Sequence, residues 1–461
     1  MFMKCKNWKR SLLAIFISLT LLPFSIIYNH DDAKAASPTL TSGSAIVISA
    51  DSGQILYEYN AHQRLYPASI TKILTALVAL EQGDLNSTIT MSEEAVYGID
   101  YDATSINLQV GEQINFKDAL YATMLVSANE AAWGIAEQVS GSLQQFCDVM
   151  NARAKELGCE DTHFVNANGL HSEDHYTTAY DMALITREAL KNETFREITG
   201  QVNYTIPATN MSEPRDIVQG NRMKRTDSDY YYEYCLGGKT GYTDQAGATL
   251  VTWSKKGDME IICVVMNSNS SAGAYEDSIA LSEYCFNNYT TIKPLLDYSF
   301  SDIQVQTAEQ TLMDFYGGTN LGSMYLSVDA NQTVLLPSNH ADIALDKNVT
   351  FSTDRVAEGI IGTLTVSDAE NTYLSLPITF SGYINSEDPD AVAAAIAQGI
   401  IEDPDAGESG HSLRWLLILF IIIIILAAIT GGLYLRMQYV QRQRELYRRR
   451  RDEARRTRNH F

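Results

Sequence analysis

The sequence predicts an α+β protein with a mixed sheet and a helical subdomain, followed by a small β-sandwich domain and a C-terminal transmembrane helix. Three observations predict this order. Within about the first 290 residues, strand-like runs stand before and after a block of helical runs. The next stretch contains only short strand-like runs, and an uncharged apolar segment, Trp415–Leu435, follows near the C-terminus. A chain of 461 residues is long enough for two folded domains and these extra segments.

Residues 1–35 are predicted to be a secretory signal peptide. A basic start, MFMKCKNWKR, precedes an apolar run from Leu12 to Ile27, and the small-residue pattern Ala33-Lys34-Ala35 follows at the distance of a cleavage site. An uncleaved N-terminal anchor is the alternative, but the cleavage pattern favours removal of the segment.

Residues 36–292 are predicted to form the first folded domain. The stretch SAIVISADSGQILYEY alternates apolar and polar residues around a turn, which indicates a β-hairpin. Apolar residues recur at helical spacing from Ser69 to Leu80, and Gly83 ends that run. Further helices are expected near 116–126, 130–139, 144–157, 179–191 and 275–287, and strands near 246–253 and 259–266.

The remaining chain divides into four segments by composition. Residues 293–384 contain short strand-like runs between turn residues and no helical pattern, so they predict a β-sandwich. Residues 385–412 are an acidic stalk, and residues 413–435 hold the 21-residue apolar run, long enough to span a bilayer as a helix. Residues 436–461 carry ten Arg against three acidic residues, which predicts a cytoplasmic C-terminus and an outer location for all preceding domains. A buried core helix is the alternative for the apolar run.

Charge and cysteine content exclude several functions. The net charge is −22; without the signal peptide, Arg414 and the tail, 18 basic and 51 acidic residues remain, about −33. Such a surface repels nucleic acid and anionic lipid. Five cysteines remain outside the signal peptide, an odd number without C-x-x-C spacing, so we expect mostly small buried apolar side chains. Neither a metal nor a cofactor is expected.

The tetrapeptide Ser69-Ile70-Thr71-Lys72 places a serine and a lysine on one face of a helix. Ser69 would lie in the first turn, where backbone N–H groups are free. A desolvated lysine can lose its proton near neutral pH and activate the hydroxyl as a nucleophile. Taken alone, the tetrapeptide is better explained by an exposed Ser and Lys on an amphipathic helix.

Two further motifs favour the catalytic interpretation. Ser127-Ala128-Asn129 lies between two helical runs, and Lys239-Thr240-Gly241 is followed by a strand. A second S-x-N copy, Ser105-Ile106-Asn107, lies in a polar connection and is interpreted as loop. S-x-x-K, S-x-N and K-T-G in this order are the signature of active-site-serine penicillin-recognising enzymes.

The similarity extends beyond the motifs, from about Ser37 to Tyr289. Three segments resemble the D-alanyl-D-alanine carboxypeptidases among the low-molecular-mass penicillin-binding proteins: SGSAIVISADSGQILYEYNAHQRLYPASITKILTALVALE, NANGLHSEDHYTTAYDMALI and GGKTGYTDQAGATLV. The resemblance implies a β-lactamase/transpeptidase-like catalytic fold, peptidoglycan stem peptides ending in D-Ala-D-Ala as substrates, and β-lactams as inhibitors. Members of this family usually end in an amphipathic anchor, so a spanning helix with an Arg-rich tail is a departure.

The resemblance assigns catalytic roles to three residues. Ser69 would attack the carbonyl between the two D-alanines and form an acyl-enzyme. Lys72 would take the hydroxyl proton, and Ser127 would relay protons between Lys72 and the leaving amine.

Five residues would bind the substrate by the same resemblance. Asn129 would hold the substrate amide, Lys239 would keep the site electropositive and support Ser127, and Thr240 would bind the terminal carboxylate. Gly241 belongs to the same motif. The backbone N–H groups of Ser69 and Tyr242 would form the oxyanion hole; Tyr242 stands where many relatives have His. In HYTTAYDMA, His175 and Asp181 match the family and are expected to be structural.

One cation of many relatives is missing here. They carry an arginine ahead of the last helix of the domain, whereas this chain has no Lys or Arg from Gly257 to Ile292, and Ala274 or a neighbour stands in its place. The carboxylate would then depend on Thr240 and Lys239, or on a cation from the upstream segment NRMKRTDSDYYYEY. The sequence favours solvated loop charges for Arg222, Lys224 and Arg225 in that segment.

Two other functions stay open on sequence alone. A serine β-lactamase would add a Glu that activates the deacylating water, and Glu188 with Asn192 offers a weak match on an apparently amphipathic helix. A non-catalytic penicillin-binding sensor or scaffold would signal or assemble through the Arg-rich tail.

Overall fold

A computed structural model describes residues 37–315 and 321–384. The predicted signal peptide (1–35), stalk (385–412), transmembrane segment (413–435) and tail (436–461) lie outside these residues. None of the helices within the described ranges combines the length and apolar character needed to cross a bilayer. The described residues divide into two compact units. The first holds residues 37–297 with Ala330–Asp346 and Ser367–Leu374, and the second holds residues 298–315, 321–329 and 375–384 with Lys347–Val366.

The described residues contain both helices and strands in each unit. The α-helices are α1 (Lys72–Gln82), α2 (Glu93–Tyr97), α3 (Phe116–Leu125), α4 (Asn129–Ser140), α5 (Leu143–Glu156), α6 (Ala179–Ala189), α7 (Glu193–Gly200), α8 (Ser271–Asn288) and α9 (Asp302–Phe315). The strands are β1 (Ser42–Ser49), β2 (Ile55–Tyr59), β3 (Thr88–Thr90), β4 (Gln113–Asn115), β5 (Asn203–Ile206), β6 (Arg215–Val218), β7 (Cys235–Thr243), β8 (Gly247–Lys256), β9 (Met259–Ser268), β10 (Tyr289–Ile292), β11 (Leu321–Ser327), β12 (Val334–Pro337), β13 (Asp346–Phe351), β14 (Ile360–Ser367) and β15 (Thr372–Ile384).

A five-stranded sheet in the order β2-β1-β9-β8-β7 forms the centre of the first unit. All four of its strand pairs are antiparallel, so the prediction of a mixed sheet is wrong. The reason is the connectivity. Short turns join β1 to β2, β7 to β8 and β8 to β9, and short turns produce antiparallel neighbours. The helical block is inserted between β2 and β7, which lie at opposite edges, and therefore pairs no strands in parallel.

Helices cover both faces of this sheet. On β1 and β9, Ile46, Ile48, Ile262 and Val264 belong to one apolar core, and the intervening residues, including Val47, belong to the other. Helix α8 packs on β8 and β9, whereas α6 packs on β9 and β1. Because both faces are buried, the central strands are apolar at consecutive positions rather than alternating.

Helix α1 lies inside the helical subdomain. It contacts α3, α4, α5, α6 and α7, and its residues from Lys72 to Ala79 are all buried. The 3₁₀ turn that precedes it, Ala68–Thr71, packs on β7 and β8. The start of α1 is therefore fixed where the helical subdomain meets the edge of the sheet.

The predicted hairpin and the predicted helices of the first unit are present, with ends shifted by at most four residues. The K-T-G motif lies within β7 rather than before a strand. In the second unit, α9 corrects the expectation that residues 293–384 contain no helix. Only Ala308 and Leu312 of α9 are buried, which is too few apolar positions for a clear helical pattern. The five described cysteines are buried, as expected, and none of them forms a disulfide.

Candidate active site

Ser69 lies in the turn just before α1, and neighbouring residues hold the backbone of this turn in a strained conformation. Ala68 has φ +50°, a left-handed conformation that is uncommon for a residue with a side chain. Two hydrogen bonds hold the turn: the Thr71 hydroxyl donates to the Ala68 carbonyl (2.9 Å), and the Thr249 hydroxyl on β8 donates to the Pro67 carbonyl (2.8 Å). The backbone at Ser69 is thus held in place, and the residue faces a cavity.

Lys72 lies one turn further on, and its side chain is fully buried. Its Nζ is 3.1 Å from Ser69 Oγ, 2.7 Å from Asn129 Oδ1 and 2.5 Å from the Asn168 carbonyl oxygen. A neutral amine has two N–H bonds and one lone pair. If the two carbonyl oxygens take the N–H bonds, the lone pair is left for the Ser69 hydroxyl proton. Spacing alone predicted that Ser69 and Lys72 meet; the structure confirms it.

Burial decides the protonation of Lys72. Removal from water lowers its pKa well below the usual 10.5, the nearby charge of Lys239 lowers it further, and the Glu130 carboxylate opposes both effects. A lysine whose pKa is lowered in this way is more readily neutral, and the neutral amine can act as a general base.

Ser127 and Asn129 lie at the junction of α3 and α4, as the sequence predicted. Ser127 has φ +65°, and its buried Oγ has no hydrogen-bond partner among the described residues. The expected support from Lys239 is therefore not a direct hydrogen bond. Asn129 is 4% exposed and donates both its backbone N–H (2.9 Å) and its Nδ2 (3.0 Å) to the Thr104 carbonyl.

The K-T-G motif forms the opposite wall, on edge strand β7. Lys239 is buried, donates to the Thr240 carbonyl at 2.7 Å, and has its pKa lowered by burial to about 7. A Cβ on Gly241 would stand 2.7 Å from the Ser69 backbone nitrogen, so only glycine lets β7 approach Ser69 this closely. Tyr242 is 61% exposed, and its hydroxyl donates to Asp244 at 3.1 Å.

These residues surround a cavity of about 830 Å³. Six of the eight predicted site residues line it: Ser69, Ser127, Asn129, Thr240, Gly241 and Tyr242. Lys72 and Lys239 are not among the lining residues. Lys72 contacts the lining residue Ser69, and Lys239 contacts the carbonyl of the lining residue Thr240. Within residues 37–315 and 321–384, no group of three His, Cys, Asp or Glu side chains could hold a metal ion.

Arg222 and Ala274 also line the cavity. The guanidinium of Arg222 lies 4.8 Å from the ring centre of Tyr230, and it forms no salt bridge within the described part of the chain. Arg225, in contrast, pairs with Asp227 at 2.9 Å, and Lys224 is not among the cavity residues. All three side chains are at least partly exposed, in agreement with the interpretation as solvated charges, and Arg222 is the one of the three that also lines the cavity.

Some contacts of the site were not predicted. Asn168 contributes a backbone carbonyl, which any residue type provides, so its side chain gave no signal. Thr104 contributes a carbonyl in the same way. His175 was expected to be structural, and it is: its Nδ1 accepts from the Val165 N–H (3.1 Å), so its Nε2–H faces the Thr71 hydroxyl at 2.8 Å. Asp181 is likewise buried, accepting from Thr162.

Comparison with known proteins agrees with this geometry. A family model described as D-alanyl-D-alanine carboxypeptidase, Peptidase_S11, matches residues 31–270. The chain is 33% identical over 288 residues to D-alanyl-D-alanine carboxypeptidase DacF of Bacillus subtilis, covering 61% of this chain and 72% of that protein. It is 30% identical over 304 residues to DacA of Haemophilus influenzae, covering 63% and 72%.

Solved structures show the same similarity. The Streptomyces K15 DD-transpeptidase aligns with a TM-score of 0.51 at 27% identity, covering 54% of this chain and 99% of that one. A D-alanyl-D-alanine carboxypeptidase from Mycobacterium tuberculosis H37Rv aligns with a TM-score of 0.50 at 29% identity, covering 55% and 95%.

Gly169 offers a test of how Ser69 is held. It has φ +85°, and a Cβ there would stand 2.0 Å from the Ala68 carbonyl oxygen and 2.9 Å from the Ser69 nitrogen. We expect Gly169→Ala to displace Ser69 and lower its acylation by a fluorescent penicillin by about 100-fold. Labelling rate and melting temperature are to be measured together.

Gly158→Ala is the matched control for that substitution. Gly158 has φ +86°, but no atom lies within 4 Å of the point that a Cβ would occupy, so its substitution carries the same left-handed strain without the clash. We expect a stability loss of about 1–2 kcal/mol and a normal labelling rate. Equal labelling rates in the two variants would show that the close approach of Gly169 does not hold Ser69.

Proposed function

The chain belongs to the D-alanyl-D-alanine carboxypeptidase family of serine peptidases, and we propose that it removes the terminal D-alanine of peptidoglycan stem pentapeptides through an acyl-enzyme on Ser69. A serine-type carboxypeptidase activity follows from the family. The observation that carries the assignment to Ser69 is the buried Lys72 amine, 3.1 Å from Ser69 Oγ with two carbonyl acceptors for its N–H bonds.

In the acylation step Ser69 Oγ attacks the carbonyl carbon between the two D-alanines, and its proton passes to Lys72. The resulting oxyanion accepts hydrogen bonds from the backbone N–H groups of Ser69 and Tyr242. Such donors act on charge that exists only in the tetrahedral intermediate. The close approach that Gly241 permits between β7 and Ser69 supports this pairing of donors.

The intermediate collapses when the C–N bond breaks and the D-alanine amine leaves with a proton. We assign to Ser127 the transfer of that proton from Lys72 to the leaving amine. The buried Oγ of Ser127 is otherwise without a partner in the described residues. Water then attacks the ester and releases the shortened peptide, with Lys72 again taking the proton. Asn129 holds the substrate amide, and Thr240 binds the terminal carboxylate in the field of Lys239.

Penicillins would acylate the same serine, because the strained lactam carbonyl presents an amide equivalent to the scissile bond. The β-lactamase alternative gains no support from Glu188. Its carboxylate pairs with Arg153 at 3.0 Å and with Lys191 at 2.7 Å, and it is not among the described residues that line the cavity. The scaffold alternative does not explain why the buried Lys72 amine contacts the Ser69 hydroxyl.

The proposal includes a place in the cell. We propose that the enzyme acts outside the membrane, with a small β-sandwich as its second domain and a single C-terminal span that leaves the Arg-rich tail in the cytoplasm. The support is in the sequence: an export signal within residues 1–35, and the apolar run and basic flank from Trp415 onward.

The function is tested with a pentapeptide ending in D-Ala-D-Ala and, separately, a fluorescent penicillin. We expect D-alanine release and a long-lived penicillin adduct from the native protein, and neither from Ser69→Ala. Rapid penicillin turnover without D-alanine release would establish a β-lactamase instead, and labelling retained in Ser69→Ala would refute the assignment of the nucleophile.

The role of Lys72 predicts a pH dependence. Only the neutral amine can accept the Ser69 proton, and burial lowers the pKa of Lys72 well below 10.5. The acylation rate should therefore rise with pH and level off well below pH 10, and Lys72→Ala should lower it roughly 10⁴- to 10⁶-fold. Lys191→Ala, which removes an exposed lysine paired with Glu188, should leave rate and profile unchanged. A flat profile between about pH 5 and 9 would contradict the role of Lys72 as base.

Arg222 is proposed to bind the substrate carboxylate from the upstream segment. A charge-assisted contact contributes about 1.5–3 kcal/mol, so Arg222→Ala should lower kcat/KM for the pentapeptide roughly 10- to 100-fold. Penicillin acylation should fall less, because the strained lactam depends less on carboxylate positioning. Arg222→Lys should lower kcat/KM less than Arg222→Ala does. Arg225→Ala should leave kcat/KM unchanged, since Arg225 pairs with Asp227. If Ala274→Arg raises peptide turnover while Arg222→Ala leaves it unchanged, the carboxylate lies nearer α8 and this assignment is wrong.

A further inference from the structure

Glu130 is a buried carboxylate beside the site that the catalytic steps do not use. It follows Asn129 in the first turn of α4 and is 1% exposed. Burial of a carboxylate is costly unless hydrogen bonds satisfy it. Its partners therefore indicate what the residue does.

One carboxylate oxygen of Glu130 organises the segment Ser105–Leu108. Oε1 accepts from the Ser105 hydroxyl (2.6 Å), from the Ile106 N–H (2.7 Å) and, at the limit of hydrogen bonding, from the Leu108 N–H (3.5 Å). Oε2 is buried and has no partner among the described residues. The carboxylate thus gathers three donors of one loop at a single oxygen.

The same loop orients the Asn129 side chain. The carbonyl of Thr104, directly before the gathered segment, accepts from both the backbone N–H and the Nδ2 of Asn129. With Nδ2 fixed on that carbonyl, Oδ1 faces the opposite way and accepts from Lys72 Nζ at 2.7 Å. A rotated amide would present N–H groups to the amine and remove one of its two acceptors.

We propose that Glu130 is a positioning residue for the acylation of Ser69: it fixes the Thr104–Leu108 loop, the Thr104 carbonyl fixes the Asn129 amide, and Asn129 Oδ1 aligns the Lys72 amine. The inference rests on the proposed role of Lys72 as the base. Under this inference the second S-x-N copy, which contains Ser105, helps to position the first copy, which contains Asn129.

Glu130 also acts on Lys72 through its charge. Three titratable groups face Lys72: Lys239 on β7, His175 in the segment before α6, and Glu130 on α4. Burial holds the pKa of His175 at about 3, so His175 stays neutral in the working range. Of the other two, Lys239 lowers the pKa of Lys72 and Glu130 raises it. Loss of the Glu130 charge should therefore move the rising limb of acylation to lower pH.

The positioning role is tested by a double-substitution cycle in the full-length protein. The rate constant for acylation by a fluorescent penicillin is measured for native protein, Glu130→Ala, Asn129→Ala and the double variant. We expect Glu130→Ala to lower the rate roughly 10- to 100-fold in the native background and less than about 3-fold when Asn129 is already Ala. An equal loss in both backgrounds would overturn the proposal.

The charge effect is tested with Glu130→Gln, which keeps an Oε1 acceptor for the loop and folds on the same contacts. Its acylation limb should shift to lower pH, with a plateau within about 3-fold of the native value. Glu112→Gln is the matched control: Glu112 is also fully buried and accepts from Arg215 and the Gln109 N–H, but it is not among the groups that shift Lys72. It should lower the melting temperature and leave the limb in place.

These outcomes separate the two proposals. An equal loss in both backgrounds of the cycle overturns the positioning role, and a Glu130→Gln limb that stays at the native pH, or moves together with that of Glu112→Gln, overturns the charge effect. In either case Ser69 remains the nucleophile of the proposed function. If Ser69→Ala still reacts with penicillin, the proposed role of Ser69 is wrong. The double-substitution cycle then measures the acylation of the residue that is labelled instead.

Discussion

The burial of the Lys72 amine beside Ser69 is the constraint on which the rest of this site depends. A charged ammonium in an apolar interior is unfavourable, so burial shifts the equilibrium toward the neutral amine that can take a proton. That amine still has two N–H bonds, and each would cost about 1–3 kcal/mol if left without an acceptor. Asn129 Oδ1 and the Asn168 carbonyl supply the two acceptors, and they come from different parts of the chain. The fold must bring α1, α4 and the Asn168 loop together before Ser69 can react.

This requirement explains where the backbone is strained. Ala68 and Ser127 both have positive φ, a conformation that costs of order 1–3 kcal/mol for a residue with a side chain. Both positions lie at the site, one before the nucleophile and the other at the assigned proton relay. The surrounding structure overdetermines them: Thr71 and β8 hold the turn around Ala68, and Gly169 approaches its carbonyl too closely for any Cβ. Stability from the two apolar cores offsets this local cost.

The sequence predicted the residues whose side chains are assigned chemical roles and missed the two backbone carbonyls, of Asn168 and Thr104, that accept from Lys72 and Asn129. Ser69 and Lys72 could be paired because a helix brings positions three apart together, and the three motifs could be ordered because each contains a reactive or charged side chain. The Asn168 and Thr104 carbonyls have no such signal. The strand β7 was missed because Gly237, Gly238 and Gly241 make its sequence a poor match to strand propensities. Helix α9 escaped because only two of its residues are buried, and the sheet was expected to be mixed because sequence patterns reveal strands but not their direction.

The two buried lysines are best understood as one coupled system. Each is withdrawn from water, and the charge of Lys239 lowers the pKa of Lys72. When two groups interact in this way, the protons leave in steps that belong to the pair. Geometry nevertheless separates their tasks. Lys72 touches Ser69 Oγ, whereas the contact of Lys239 within the described residues is to the Thr240 carbonyl. In the proposed mechanism Lys72 therefore carries the proton that enters the reaction, and Lys239 acts at a distance. The charge of Lys239 would favour a substrate carboxylate at Thr240, and it lowers the pKa of Lys72.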